Sequence, residues 1–220
     1  NFSSSVIEDF SVNLEIVLNE TEKVLFVGGA LKGVGKSTCA KLTANVLAMK
    51  GSKVLLIDND YRRGNLHKDF NVERPSKKIL SDDSINFEKF KTDSENLYVL
   101  PRPLKSSETS TAAIFNDKFS KLLEVCKQEF DYIVLDTAPL LAVQQGLISL
   151  SLSDLSLIVI EHKNTRMVEL EAVEKMINSV KQDKNYFIYN KLTKESAVYG
   201  YYDYYNYKYY SSSYDYSDEK

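Results

Sequence analysis

Tryptophan is absent from this chain of 220 residues, and cysteine and histidine occur only twice each. Cys39 and Cys126 stand far apart, with only His67 and His162 to assist, so they supply neither a metal-ligand cluster nor a disulfide framework. They read as core thiols in a reducing compartment. No run of about 18 apolar residues is present, which excludes a membrane-spanning helix within these residues. The opening NFSSSVIEDF lacks both the basic region and the apolar core of a signal peptide. The excess of cations that non-specific nucleic-acid binding requires is missing too, since the formal charge is −3 and the pI about 5.6. Nucleic acid is therefore not an expected partner. No internal repeat is found.

What the chain does have is apolar content, 43% of its residues, enough to bury a sizeable core in one domain. Short apolar runs (KVLFVGG, KVLLID, NLYVLPR, YIVLD, LSLIVIE and YFIYN) alternate with segments of helical periodicity. The helices are expected at about 4–17, capped by Ser4 or Ser5, then from Lys36 to a stop at Gly51, at 115–129, from about 140 behind Pro139, and at about 165–181. Such alternation predicts an α/β fold with a mostly parallel sheet flanked by helices, in which ligands bind at the carboxyl ends of the strands. Residues 1–193 read as this domain. The charged stretch RRGNLHKDFNVERPSKKILSDDS reads as a loop with little regular structure, and residues 194–220, without apolar periodicity, as a disordered tail.

The polar motifs fall at strand ends. The first strand delivers GGALKGVGKST, in which Gly33, Val34, Gly35, Lys36, Ser37 and Thr38 form the second half of a phosphate-binding loop. Its backbone N–H groups would face phosphate oxygens, with Lys36 reaching the β- and γ-phosphates and Ser37 binding Mg²⁺. The full pattern asks for glycine where Ala30 stands, with Gly29 one residue earlier. A glycine turn without a ligand is the plainer reading, but the strand before and the helix after are the context the motif needs. The second strand ends in Asp58 and Asp60, whose period-2 spacing turns both carboxylates to one side. Two acids so close repel unless a divalent metal or a cation such as Arg62 or Lys36 holds them. The strand YIVLDTAP ends in Asp136, placed like a Walker B carboxylate. Taken singly, each acid is equally a strand-end cap.

The segments LLIDNDYR and IVLDTAP, the phosphate loop and a C-terminal tyrosine cluster together resemble the bacterial tyrosine kinases of capsule and exopolysaccharide synthesis. The resemblance runs from Val24 to the tail. It implies a P-loop NTPase fold related to ParA and MinD, and an ATP- and Mg²⁺-dependent kinase that phosphorylates its own tail on tyrosine, in trans. On this mapping Lys36, Asp58 and Asp60 are catalytic, with Asp58 the base that takes the phenol proton. Ser37, Asp58 and Asp136 hold the metal, and Asp60 helps to orient the incoming group. Asn190 matches the position that reads adenine, a turn asparagine being the alternative. The implied partners are a neighbouring copy, a tyrosine phosphatase and the polysaccharide polymerase or export machinery. The implied location is the cytoplasmic face of the inner membrane, reached through a segment outside these residues. Two departures stand out. Leu31 occupies the place of the signature lysine of the partition and division ATPases, so Lys32 is either a shifted equivalent or a solvated side chain. Ser11 and Leu14 occupy places where the family's first helix carries arginines that dock on a neighbour, though Glu8 is kept.

Ten of the fifteen tyrosines lie in the tail: Tyr199, Tyr201, Tyr202, Tyr204, Tyr205, Tyr207, Tyr209, Tyr210, Tyr214 and Tyr216. These are the expected phosphoacceptors. Each phosphate adds roughly −1.5 to −2 charges, so several would turn a mildly acidic tail into a polyanion and weaken self-association. An ATPase switch of the ParA/MinD kind and a nucleotide-binding scaffold are the alternative functions, and an adhesive aromatic tail is the alternative for the tyrosines.

Overall fold

The computed structural model describes residues 3–19, 21–61, 64–75, 85–102 and 112–192. The expectations for Arg62, for 76–84 and for the tail at 194–220, acceptor tyrosines included, fall outside the described residues. Six strands form one sheet: β1 (Val24–Gly28), β2 (Val54–Asn59), β3 (Leu97–Leu100), β4 (Tyr132–Thr137), β5 (Leu155–Glu161) and β6 (Asn185–Asn190). Their order is β3-β2-β4-β1-β5-β6, and every neighbouring pair is parallel. Because helices cover both faces, β1, β2 and β3 are buried at every position, which is why they read as continuous apolar runs rather than alternating ones. At the edge, β6 alternates instead and leaves Phe187 and Tyr189 exposed.

The helices are α1 (Ser4–Val17), α2 (Lys36–Met49), α3 (Leu66–Asp69), α4 (Ala112–Glu129), α5 (Gln144–Ser151) and α6 (Met167–Val180). Ser3, not Ser4 or Ser5, caps α1 by accepting from the Val6 N–H. Leu14 is the buried residue of α1 and joins the main core, so this position is committed to packing and has no room for an exposed docking arginine. Gly51, with φ +93°, stands just past α2 as expected. Cys39 and Cys126 are buried free thiols, and burial pushes them up to about 11 and about 12, which leaves both unreactive.

One expectation needs correction. Pro139 does not open a helix: the Leu140 and Leu141 N–H groups donate to the Gly29 and Ala30 carbonyls at 3.0 and 3.2 Å, so these donors brace the end of β1 and α5 starts only at Gln144. Among its described residues, the stretch after β2 has little regular structure, as expected, with only Leu66–Asp69 forming the short helix α3. A four-residue helix has too few internal hydrogen bonds to stand alone. Leu66, 1% exposed, anchors it in the core, a burial worth roughly 1.5–3 kcal/mol.

Candidate active site

The strand order leaves β1 flanked by β4 and β5, and the chain leaving β1 turns directly into the loop that starts α2. Ligands of open α/β sheets bind in the crevice at such a reversal of strand order. Gly33 and Gly35 take φ of +86° and +100°, the left-handed region where side chains are strained. At Gly35 a Cβ would also lie 2.0 Å from Asn190 Nδ2. Only glycine fits there. Gly29 explains the departure one residue on: a Cβ on it would come 2.9 Å from the Val159 carbonyl, whereas the methyl of Ala30 is buried in the cluster of Phe26, Leu140, Leu150 and Ile158. The close approach that the motif needs is made at Gly29, so Ala30 is tolerated.

Lys36, in the first turn of α2 and 7% exposed, donates from Nζ to the Leu31 carbonyl at 3.0 Å. Burial lowers its pKa, against Asp136 and Asp60, whose charges raise it. Lys32 is exposed at the loop surface, the solvated alternative of the two.

Asp58 and Asp136 are paired directly across β2 and β4, and each is 2% exposed. Burial pushes Asp58 up to about 6, opposed by N–H donation from Leu66 and by the Arg102 charge. It pushes Asp136 up to about 7, opposed by a hydrogen bond from the Ser37 hydroxyl and by Lys36, while the charge of Asp58 adds to the rise. Asp60, just past β2, acts electrostatically on Lys36, Asp58 and Asp136 alike. The structure thus brings Lys36, Ser37, Asp58, Asp60 and Asp136 into one electrostatic cluster. One oxygen of each buried acid, Asp58 Oδ1 and Asp136 Oδ1, has no hydrogen-bond partner among the described residues. A buried carboxylate oxygen without a donor costs free energy, and a bound ion is one way in which such a group is satisfied. Two carboxylates and a hydroxyl at a phosphate loop are the donor set that a Mg²⁺ ion uses alongside phosphate oxygens. These residues fit the metal.

Two residues of this site were not anticipated. Arg102, just past β3, donates from Nε to the Gly64 carbonyl at 2.9 Å and from Nη1 to the Tyr61 carbonyl at 2.8 Å, which ties down the turn behind Asp58. Gly64 must be glycine because a Cβ would come 1.8 Å from Asp58 Oδ1. No sequence pattern signals the first, because its contacts are with main-chain carbonyls. The Asn190 amide donates to the Val34 carbonyl at 2.9 Å, on the loop itself.

Comparison with known proteins agrees with this geometry. The AAA domain family matches residues 22–190. The chain is 32% identical over 192 residues to tyrosine-protein kinase CpsD of Streptococcus agalactiae, covering 84% of this chain and 81% of that protein. It is 33% identical over 179 residues to tyrosine-protein kinase ptk of Acinetobacter johnsonii, covering 80% of this chain but 24% of the relative, so it spans about a quarter of such longer proteins. The crystal structure of the VpsO kinase domain superposes with a TM-score of 0.72 at 25% identity, over 86% of this chain and 94% of that one. With the phosphate loop, the paired strand-end acids and these relatives, the chain belongs to the bacterial tyrosine kinase family.

Proposed function

We propose that this chain is an ATP-dependent protein tyrosine kinase that phosphorylates, in trans, the tyrosines between Tyr199 and Tyr216. The observation that carries the reading is the registered pair Asp58 and Asp136, buried, each with one unpartnered oxygen, beside the loop lysine. Relatives named tyrosine-protein kinases, one of them matched over 81% of its length, support it. Residues 1–193 serve as the kinase domain and 194–220 as its substrate segment.

A phenol with a pKa near 10 is a poor nucleophile and must lose its proton as it reacts. Asp58 accepts that proton. Its carboxyl, raised to about 6, is ionised at neutral pH yet more basic than an ordinary aspartate, which suits a base working near 7. The phenol oxygen forms a bond to the γ-phosphorus while the bond to the bridging oxygen of ADP breaks. Val34, Gly35 and Lys36 supply N–H donors and charge to the phosphates. Ser37, Asp58 and Asp136 would hold a Mg²⁺ ion, which would supply neutralisation of phosphate charge. Asp60 orients the acceptor. The proposal extends to regulation of capsule or exopolysaccharide polymerisation and export, reversal by a tyrosine phosphatase, and a place at the cytoplasmic face of the inner membrane, with attachment supplied outside these residues.

Intact-mass spectrometry after incubation with Mg²⁺·ATP tests the reading. A ladder of phosphate additions is expected for the parent, and none for Lys36→Met or for a chain truncated after Lys194. ADP release without any phosphate on the protein would point to an ATPase switch instead.

A further inference from the structure

The far end of the sheet reaches back onto the phosphate loop. From the last residue of β6, Asn190 Nδ2 donates to the Val34 carbonyl at 2.9 Å, and from the next, Lys191 Nζ donates to the Gly33 carbonyl at 2.7 Å. The two acceptors belong to successive peptide units. Lys191 sits at φ +59°, a conformation uncommon for a long side chain, and its ammonium is held from behind by Glu161 Oε1 at 2.7 Å. Glu161 in turn accepts from Asn164 Nδ2 at 2.8 Å, and its own N–H donates to Thr165 Oγ1. The His162 N–H donates to the Asn190 carbonyl at 3.0 Å, which locks the end of β5 to the end of β6.

A trans peptide is planar, and its C=O and N–H point in opposite directions. The carbonyl of Gly33 shares a plane with the N–H of Val34, and the carbonyl of Val34 with the N–H of Gly35. Holding these two carbonyls outward therefore aims the N–H groups of Val34 and Gly35 to the other side of the loop, where an anion is bound. Left-handed glycines on either side of Val34 make the loop pliable, so this orientation needs an external constraint.

We propose that Asn190 and Lys191 are positioning residues of the phosphotransfer site, clamping two peptide units of the loop so that their N–H groups are set for the nucleotide phosphates, with Glu161 as the buttress of Lys191. This rests on the reading of residues 29–37 as a nucleotide-binding loop. It also assigns Asn190 to the loop rather than to the base.

The test is titration of the full chain with fluorescent ADP and GDP analogues, beside steady-state kinetics in ATP. Lys191→Met is expected to weaken both nucleotides by roughly tenfold and to raise the KM for ATP by a similar factor with kcat changed less, as for loss of a charge-assisted hydrogen bond. Lys191→Arg should restore most of the affinity, and Glu161→Gln should move it in the same direction as Lys191→Met by a smaller factor. Asn190→Ala should weaken ADP and GDP equally. A loss confined to ADP would return Asn190 to base recognition and overturn its part in the clamp. Melting curves without nucleotide identify any variant that fails to fold, and Lys191→Met, altered at a half-exposed side chain, carries the test if Asn190→Ala does. A parent that binds nucleotide and a Lys191→Met chain that binds it equally well would overturn the proposal alone. A parent that binds none would overturn the nucleotide-loop reading and the clamp with it.

Discussion

The two flanks of the phosphate loop differ in how their polar groups are satisfied. On the β2 and β4 side, Asp58 and Asp136 are buried at 2% exposure, carry raised pKa values and keep one oxygen each without a partner. On the β6 side, Asn190, Lys191 and Glu161 are each hydrogen-bonded, to the loop, to one another or to the turn after β5. The difference separates two jobs that sequence motifs run together. Groups whose bonding capacity is unspent are free to meet a ligand or a proton; groups whose capacity is spent internally hold shape. The first kind costs folding free energy and the second returns it.

The largest break in this comparison comes from the unsatisfied flank. Asp58→Asn keeps the size of the side chain but removes the base, so autophosphorylation, read by phosphotyrosine blotting or mass, should fall by about 10² to 10⁴-fold. Nucleotide binding should persist, and the melting temperature at pH 7.5 without nucleotide should not drop. An Asp58→Asn chain that autophosphorylates at the parent rate would remove Asp58 from the chemistry. The next effect is steric. Gly64→Ala places a methyl against Asp58 Oδ1 and must shift one or the other. Misplacement of a reacting group by about 1 Å costs on the order of 10²-fold in rate, and an unchanged kcat would show that the Asp58 position is not critical.

The smallest effect is on stability, and its sign is opposite to that of ordinary paired carboxylates. In the folded state Asp58 and Asp136 bind protons more tightly than free aspartates, whose pKa is near 3.8. Their contribution is therefore full below about pH 4 and is lost as pH rises through about 6 and about 7. Nucleotide-free protein should melt lower at pH 8 than at pH 5, and Asp136→Asn should reduce that difference, at about 2–4 °C for each kcal/mol in a chain of this size. A parent and an Asp136→Asn variant with identical pH profiles would sink the assignment.

The legible part of the site in the sequence was the part that is spatially local. Lys36, Ser37, Asp58 and Asp136 follow apolar runs directly, and a parallel sheet forces the ends of such runs to one edge, so their convergence follows from chain order. Arg102 was not legible because it acts on the carbonyls of Tyr61 and Gly64, roughly forty positions earlier, and no residue type announces a main-chain contact. The same reason hid the contact of Asn190 with the Val34 carbonyl, since a polar residue after a strand reads equally well as a turn, a base reader or a clamp. The helix α3 was missed because four residues carry too little periodicity, and the onset of α5 was misplaced because the donors after Pro139 are drawn to the end of β1.

The loop is held almost wholly by its carbonyls. Those of Gly29 and Ala30 receive the N–H groups of Leu140 and Leu141, that of Leu31 receives Lys36, and those of Gly33 and Val34 receive Lys191 and Asn190. A carbonyl is the same whatever side chain its residue bears. The shape of this segment therefore depends on donors elsewhere in the chain as well as on its own left-handed Gly33 and Gly35 and on Lys36. Substitution of the exposed Leu31 and Lys32 is therefore expected to be better tolerated than substitution of Gly33, Gly35 or the distant Asn190 and Lys191.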